Sequence, residues 1–128
     1  MFITKTKSCS LTKVCCIKNS VVIDIIHESG GLCFLAHPYE YNFPDVISFI
    51  DELRNIVKID GVECFHPSSE LENKSLLLIK YARDNNLFIS GGSDYHRDKK
   101  LNNDIGIGDG TLNINKEYIE EWAEYINN

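Results

Sequence analysis

No apolar run in this sequence approaches the ~20 residues needed to span a bilayer. The N-terminus has lysines but no continuous apolar segment and no small-residue cleavage site, so no signal peptide is expected and a cytoplasmic setting is inferred. There is no C-x-x-C pair. The five cysteines, Cys9, Cys15, Cys16, Cys33 and Cys64, are odd in number and irregularly spaced, which argues against a disulfide framework. Cys33 and Cys64 fall in expected strands and read as small buried apolar groups. A basic excess is also lacking. The net charge is −6; residues 1–20 carry Lys5, Lys7, Lys13 and Lys18 and no acid, so that segment is +4 and the remainder −10. An acidic body lacks the footprint that phosphate backbones need, which argues against duplex nucleic acid as partner. It leaves metal-ion chemistry open, because bound cations offset local negative charge.

What is present is an ordinary soluble composition, 43% hydrophobic and 25% charged over 128 residues, enough for one domain with a core. Residues 1–18 show no clear period and are compatible with a strand over Leu11–Ile17 or a frayed start. The domain is taken as 19–128. Asn19 or Ser20 is suited to cap a helix whose Val21, Val22, Ile25 and Ile26 share a face, ending at Gly30-Gly31. His27, in its last turn, reads as a favourable cation at a helix C-terminus rather than a ligand. Leu32–Ala36 is a buried strand closed by His37-Pro38, the proline keeping His37 extended. Pro44 opens a helix with a stripe of Val46, Ile47, Phe49, Ile50 and Leu53. Gly61–Phe65 is a second strand, closed by His66-Pro67. Ser69 and Glu72 form a capping box for a helix to about Asn85, with Leu71, Leu77, Leu78, Tyr81 and Ala82 supplying its core face. Leu87–Ser90 is a third strand. A polar loop over 97–111 and a short strand Leu112–Ile114 precede a helix capped by Asn115.

Strands alternating with helices predict an α/β fold with a parallel sheet. Ligands in such sheets gather at the carboxyl ends of strands. His37, His66 and the pair Asp94 and His96 all stand at those ends. In an extended chain Asp94 and His96 point the same way, so a carboxylate and an imidazole converge, as suits a divalent ion. Gly91-Gly92, just before them, permits a sharp turn or a close approach. Glu63, inside the second strand, is either a carboxylate near the site or one paired with a lysine. His66 is either a contact to substrate or metal, or a polar residue at a turn. Arg97 is either a phosphate-binding fork or a solvated loop residue.

Three segments, G-G-L-C-F-L-A-H-P at 30–38, D-G-V-E-C-F-H-P at 60–67 and I-S-G-G-S-D-Y-H at 89–96, resemble the polymerase and histidinol phosphatase (PHP) superfamily. I-G-I-G-D-G-T-L-N-I at 105–114 is similar to the tail of its bacterial phosphoesterase branch. The resemblance implies part of a distorted (β/α)7 barrel with its metal ions, Mn, Zn or Fe, at the C-terminal face of the strands. It implies His37, Asp94 and His96 as metal ligands and a phosphorylated small molecule as substrate. A metal-activated water would hydrolyse the ester. Glu63, His66 and Arg97 are further substrate-binding candidates.

The family's opening H-x-H motif is missing. The four histidines, His27, His37, His66 and His96, contain no such pair. The expectation is therefore the C-terminal half of a PHP barrel without its N-terminal strands, weak or inactive alone. It would either be completed by ligands from another polypeptide or serve as a metal-binding, self-associating remnant, its unpaired strand edge favouring homo-oligomers.

Overall fold

In a computed structural model of the chain, residues 13–70, 73–96, 104–108 and 110–126 are described. The first described element is helix α1, Lys13–Glu28. Asn19 and Ser20 lie inside it rather than at its start, and no strand forms over the described part of Leu11–Ile17. Its buried anchor is Ile23, while Val21, Val22 and Ile25 are more than half exposed. Of the expected apolar face only Ile26 packs against the core, beside Ile23, and the rest looks outward. The Gly30-Gly31 stop holds: Gly30 takes φ +79° and Gly31 N–H donates to Ile26 O at 2.9 Å, closing the helix.

Strand β1, Phe34–Leu35, is shorter than the apolar run that contains it. It leads into a 3-10 turn, Pro38–Tyr41. Helix α2, Val46–Arg54, is capped by Asp45, whose carboxylate accepts from Ile47 N and Ser48 N; Pro44 sits just before the cap. Val46, Phe49, Ile50 and Leu53 are buried, as their spacing requires.

Strand β2, Gly61–Phe65, ends directly before His66. The single helix expected after it is two: α3, Pro67–Glu70, and α4, Lys74–Asp84, separated at Asn73 with φ +58°. Ser69 does not cap. Its hydroxyl instead accepts from His66 N and reaches Cys64 O and Ser75 Oγ, tying β2 to both helices. Leu78, Tyr81 and Ala82 are buried as expected; Leu77 is exposed, and Leu71 and Glu72 lie outside the described residues. Strand β3 is Phe88–Gly91. Leu112–Ile114 forms no strand; Leu112 is buried as a loop residue. Helix α5, Lys116–Ile126, begins as expected, with Asn115 Oδ1 accepting from Glu117 N at 3.2 Å.

The described strands form one parallel sheet in the order β1-β2-β3. Gly61 pairs with Phe34 and Phe88, and Glu63 with Ser90. The period-two alternation of β2 sends Val62 and Cys64 into a core shared with Leu35, Ile50, Leu78, Ala82 and Ile89, all fully enclosed. Each large apolar side chain so enclosed contributes roughly 1.5–3 kcal/mol. The sheet's aromatic residues meet α5: Phe34 lies 5.4 Å from Trp122, Phe65 5.4 Å from Tyr118 and Phe88 5.8 Å from Tyr125, centroid to centroid. Trp122 Nε1 donates to Ile89 O at 3.1 Å. The architecture is mixed α/β. No described helix is long and apolar enough to cross a membrane.

Candidate functional site

All three strands run in one direction, so the residues that follow each strand share a rim. His37 follows β1, His66 follows β2, and Asp94 follows β3. His37 is not extended. Its φ of 32° and ψ of 61° place it in the left-handed region, where Pro38 starts the 3-10 turn at once. Proline disfavours the right-handed helical region for the residue before it, and the tight turn excludes an extended one. The conformation costs ~1–2 kcal/mol for a residue with a Cβ. It is held by Glu63 Oε2, which accepts the His37 backbone N–H at 2.7 Å.

The other Glu63 oxygen, Oε1, lies 2.7 Å from where a Cβ on Gly92 would stand. Gly92 is glycine because the carboxylate passes there. Gly91 is equally crowded, by Phe65 Cβ and Ile114 Cδ1 at 2.6 Å. The close approach expected of Gly91-Gly92 is found; the sharp turn falls later, at Asp94 with φ 52°. Burial pushes the Glu63 carboxyl above its ordinary value, and the His37 N–H bond partly opposes this. Among the described residues Glu63 thus binds the backbone of His37.

The His37 ring lies 5.5 Å from His66 and 5.6 Å from Tyr41, centroid to centroid. Among the described residues, His37 Nδ1 and Tyr41 Oη are both buried without a hydrogen-bond partner. Buried polar atoms of this kind are uncommon, and a water, an ion or a ligand would complete them. Burial, with the Glu63 charge second, raises the Tyr41 hydroxyl's pKa.

His66 is 4% exposed, and its Nε2 stands 3.8 Å from Asp94 Oδ2. Its other nitrogen, Nδ1, lies 2.8 Å from Ser68 Oγ and 3.1 Å from Ser68 N. With the proton on Nδ1, the Ser68 hydroxyl accepts it and Nε2 offers a lone pair toward Asp94. In the other tautomer Ser68 N–H donates to Nδ1. Asp94 and His96 do not share a face of an extended chain, because the left-handed turn at Asp94 breaks the run. They meet by folding back: His96 Nδ1 lies 3.1 Å from Asp94 Oδ1 and 2.9 Å from Asp94 O. His96 remains largely exposed while the Asp94 side chain is mostly covered. Arg97 lies outside the described residues.

The structure thus links the histidines and acids of the rim pairwise: His37 with Glu63 and His66, His66 with Asp94, Asp94 with His96. Tyr41 and Ser68 were not legible as site residues. Tyr41 sits in an aromatic-rich loop that looks like core, and only the serine two residues after His66 hinted at a turn that closes on the ring.

A different group has its ligand atoms closest together. Among the described residues, His27, Cys33 and Asp60 each offer one such atom, all within 4.8 Å of one another, and could hold a metal ion. His27 Nε2 is 2.6 Å from Asp60 Oδ2, which also accepts Cys33 N–H at 2.7 Å. The cation expected at the α1 C-terminus is thus bonded to a specific acid. The register would have revealed the neighbours: Phe34 pairs with Gly61, so Cys33 and Asp60, one residue earlier on each strand, stand side by side.

No family model matches the chain, and no solved structure matches it. Among curated proteins it is similar to a phosphoribosyl 1,2-cyclic phosphate 1,2-diphosphodiesterase of Eggerthella lenta, 32% identical over 77 residues. The match takes in 58% of this chain and 26% of that protein, so the chain spans about a quarter of the relative's length. The similarity is to part of a phosphodiesterase.

Proposed function

We propose that the chain carries part of a PHP-type, metal-dependent phosphoesterase site on the C-terminal rim of its sheet, within what would be an incomplete (β/α) barrel. The observation that carries this reading is His37 Nδ1, buried beside the His66 ring with no hydrogen-bond partner among the described residues. Imidazole and carboxylate together suit Mn, Zn or Fe. The partial similarity to a phosphodiesterase supports the reaction class.

His37 through Nδ1 and Asp94 through its carboxylate would hold the ion, with His96 closing from the solvent side. His66, whose Nδ1 accepts from Ser68 N–H, would present Nε2–H to Asp94 or to a substrate oxygen. Glu63 positions His37 by holding its backbone N–H. A divalent ion at such a site supplies a water made nucleophilic at neutral pH and neutralises charge on the phosphoryl oxygens. Tyr41 Oη would donate a hydrogen bond to a substrate oxygen.

The test is metal content of the wild type and of the His37→Ala and Asp94→Ala variants, with turnover of an aryl phosphate and a cyclic phosphodiester measured alongside. The reading expects metal in the wild type, a loss of more than about tenfold in affinity in either variant, and hydrolysis that rises when an H-x-H-bearing partner segment is added. Equal metal content in all three proteins overturns it. A second reading, a non-catalytic and self-associating module, is favoured by the exposed Val21, Val22 and Ile25 of α1 and Leu76 and Leu77 of α4. It expects dimers in sedimentation and no turnover under any metal.

A further inference from the structure

The group His27, Cys33 and Asp60 lies at the opposite end of the sheet from the rim just described. His27 is in the last turn of α1, Cys33 immediately precedes β1, and Asp60 immediately precedes β2. The five residues of β2 separate the two ends by roughly 17 Å at the usual strand rise. One ion cannot serve both.

We propose that His27 Nε2, Cys33 Sγ and Asp60 Oδ2 form a structural zinc site that fastens α1 to the N-terminal end of the sheet. Three observations carry it. The ligand atoms come from three separate segments yet lie within 4.8 Å of one another. The backbone already holds the carboxylate in place, since Cys33 N–H donates to Asp60 Oδ2 and Asp60 N–H donates back to Cys33 O at 2.8 Å. The donor set is one thiol, one imidazole and one carboxylate, a borderline-soft mixture that suits Zn²⁺ and not Mg²⁺ or Ca²⁺. Cys33 is 5% exposed, and the His27 and Asp60 side chains are mostly covered, so water competes weakly for the ion.

The balance is simple. On binding, the Cys33 thiol gives its proton to solvent and His27 carries its ring proton on Nδ1, leaving lone pairs on Sγ and Nε2. One thiolate, one carboxylate and a dication make a neutral cluster, and a water fills the fourth position. Without the ion, His27 Nε2–H donates to Asp60 Oδ2 beside a neutral thiol, and on binding that ring proton moves to Nδ1, so α1 stays docked but more weakly in the ion's absence. Binding to the folded chain alone stabilises it by mass action.

Cobalt(II) titration of the full chain tests this, because a thiolate ligand gives a charge-transfer band in the near ultraviolet that imidazole and carboxylate do not. His37, His66, Asp94 and His96 contain no sulfur, so the rim site is silent in this readout. The expected result is a band saturating at one cobalt per chain, reversed by zinc, lost in Cys33→Ser, and retained in the His37→Ala/Asp94→Ala double variant. His27→Gln, at a partly exposed position, should keep the fold by circular dichroism and weaken binding more than about tenfold. Absence of the band in the wild type overturns the assignment, as does its persistence in Cys33→Ser, which would place it on another cysteine. Should Cys33→Ser fail to fold, His27→Gln decides: unchanged affinity overturns the site.

Discussion

Glu63 holds the backbone of His37 from the neighbouring strand: the His37 N–H donates to Glu63 Oε2 at 2.7 Å. One acid in β2 thereby fixes the left-handed turn that aims His37 at the rim. Removing the acceptor leaves a part-buried N–H unpaired, which costs ~1–3 kcal/mol. Glu63→Ala is expected to lower the unfolding free energy by that amount, measured by urea unfolding in the presence of a chelator. Glu63→Gln keeps an acceptor oxygen and no longer buries an ionisable group, so it should cost less than alanine. Equal losses in the two variants would show that the carboxylate, not its acceptor oxygen, holds the turn.

The glycines of the sheet make a graded prediction. A Cβ on Gly92 would meet only the end of a side chain, Glu63 Oε1, at 2.7 Å, whereas one on Gly61 would meet the Phe34 ring at 2.3 Å and Phe88 O at 2.7 Å. Gly92→Ala is expected to displace Glu63 and cost ~1–3 kcal/mol. Gly61→Ala is expected to cost more, since backbone cannot yield as a carboxylate can. Thermal unfolding of both variants checks the order, and a reversed order would contradict the strand register.

Alkaline pH should reveal Tyr81. Its hydroxyl donates to Asp51 Oδ1 at 2.5 Å and accepts from Arg54 Nη1 at 3.1 Å. Burial first, and the bond to Asp51 second, raise its pKa above the ordinary value of 10.0. The folded chain then holds this proton where the unfolded chain has released it. Stability is therefore unaffected by this group below pH 10.0 and falls as pH rises from there through the folded value. Tyr81→Phe should flatten that fall while costing ~0.5–1.5 kcal/mol at neutral pH from the lost hydrogen bonds. Phenolate absorbance against pH, with unfolding free energy measured in parallel, tests the sign.

Trp122, the single tryptophan of the sequence, reports on α5. Its Nε1 donates to Ile89 O, and its ring meets Phe34 edge-on at 5.4 Å. Trp122→Phe keeps an aromatic contact and loses the hydrogen bond, for an expected cost of ~0.5–1.5 kcal/mol. In the wild type, indole emission should shift to longer wavelength together with loss of far-ultraviolet helix signal during unfolding. A separate, earlier emission change would mean that α5 detaches from the sheet independently.

The order of strands and helices was legible because period and punctuation are local. D-G-V-E-C-F-H could be read as a strand with a histidine at its end without any knowledge of its neighbours. From parallel strands alone it followed that His37, His66 and Asp94 stand at one end of the sheet. The helix between β2 and β3 was less legible. Ser69 looked like a cap by its spacing to Glu72, yet its hydroxyl binds groups on β2 and Ser75, contacts that no local pattern encodes.

Sequence by itself determined the class of fold, the core stripe of α2, the cap of α5 and which residue types end each strand. Tertiary structure alone decided the left-handed turns at His37 and Asp94, the reach of Glu63 to the His37 backbone, and the meeting of His27, Cys33 and Asp60 at the far end. The reason is physical. Helix and strand preferences depend on neighbours a few positions away, whereas a carboxylate finds its partner by the register of strands 26 or more residues apart, and that register is set only when the whole core closes.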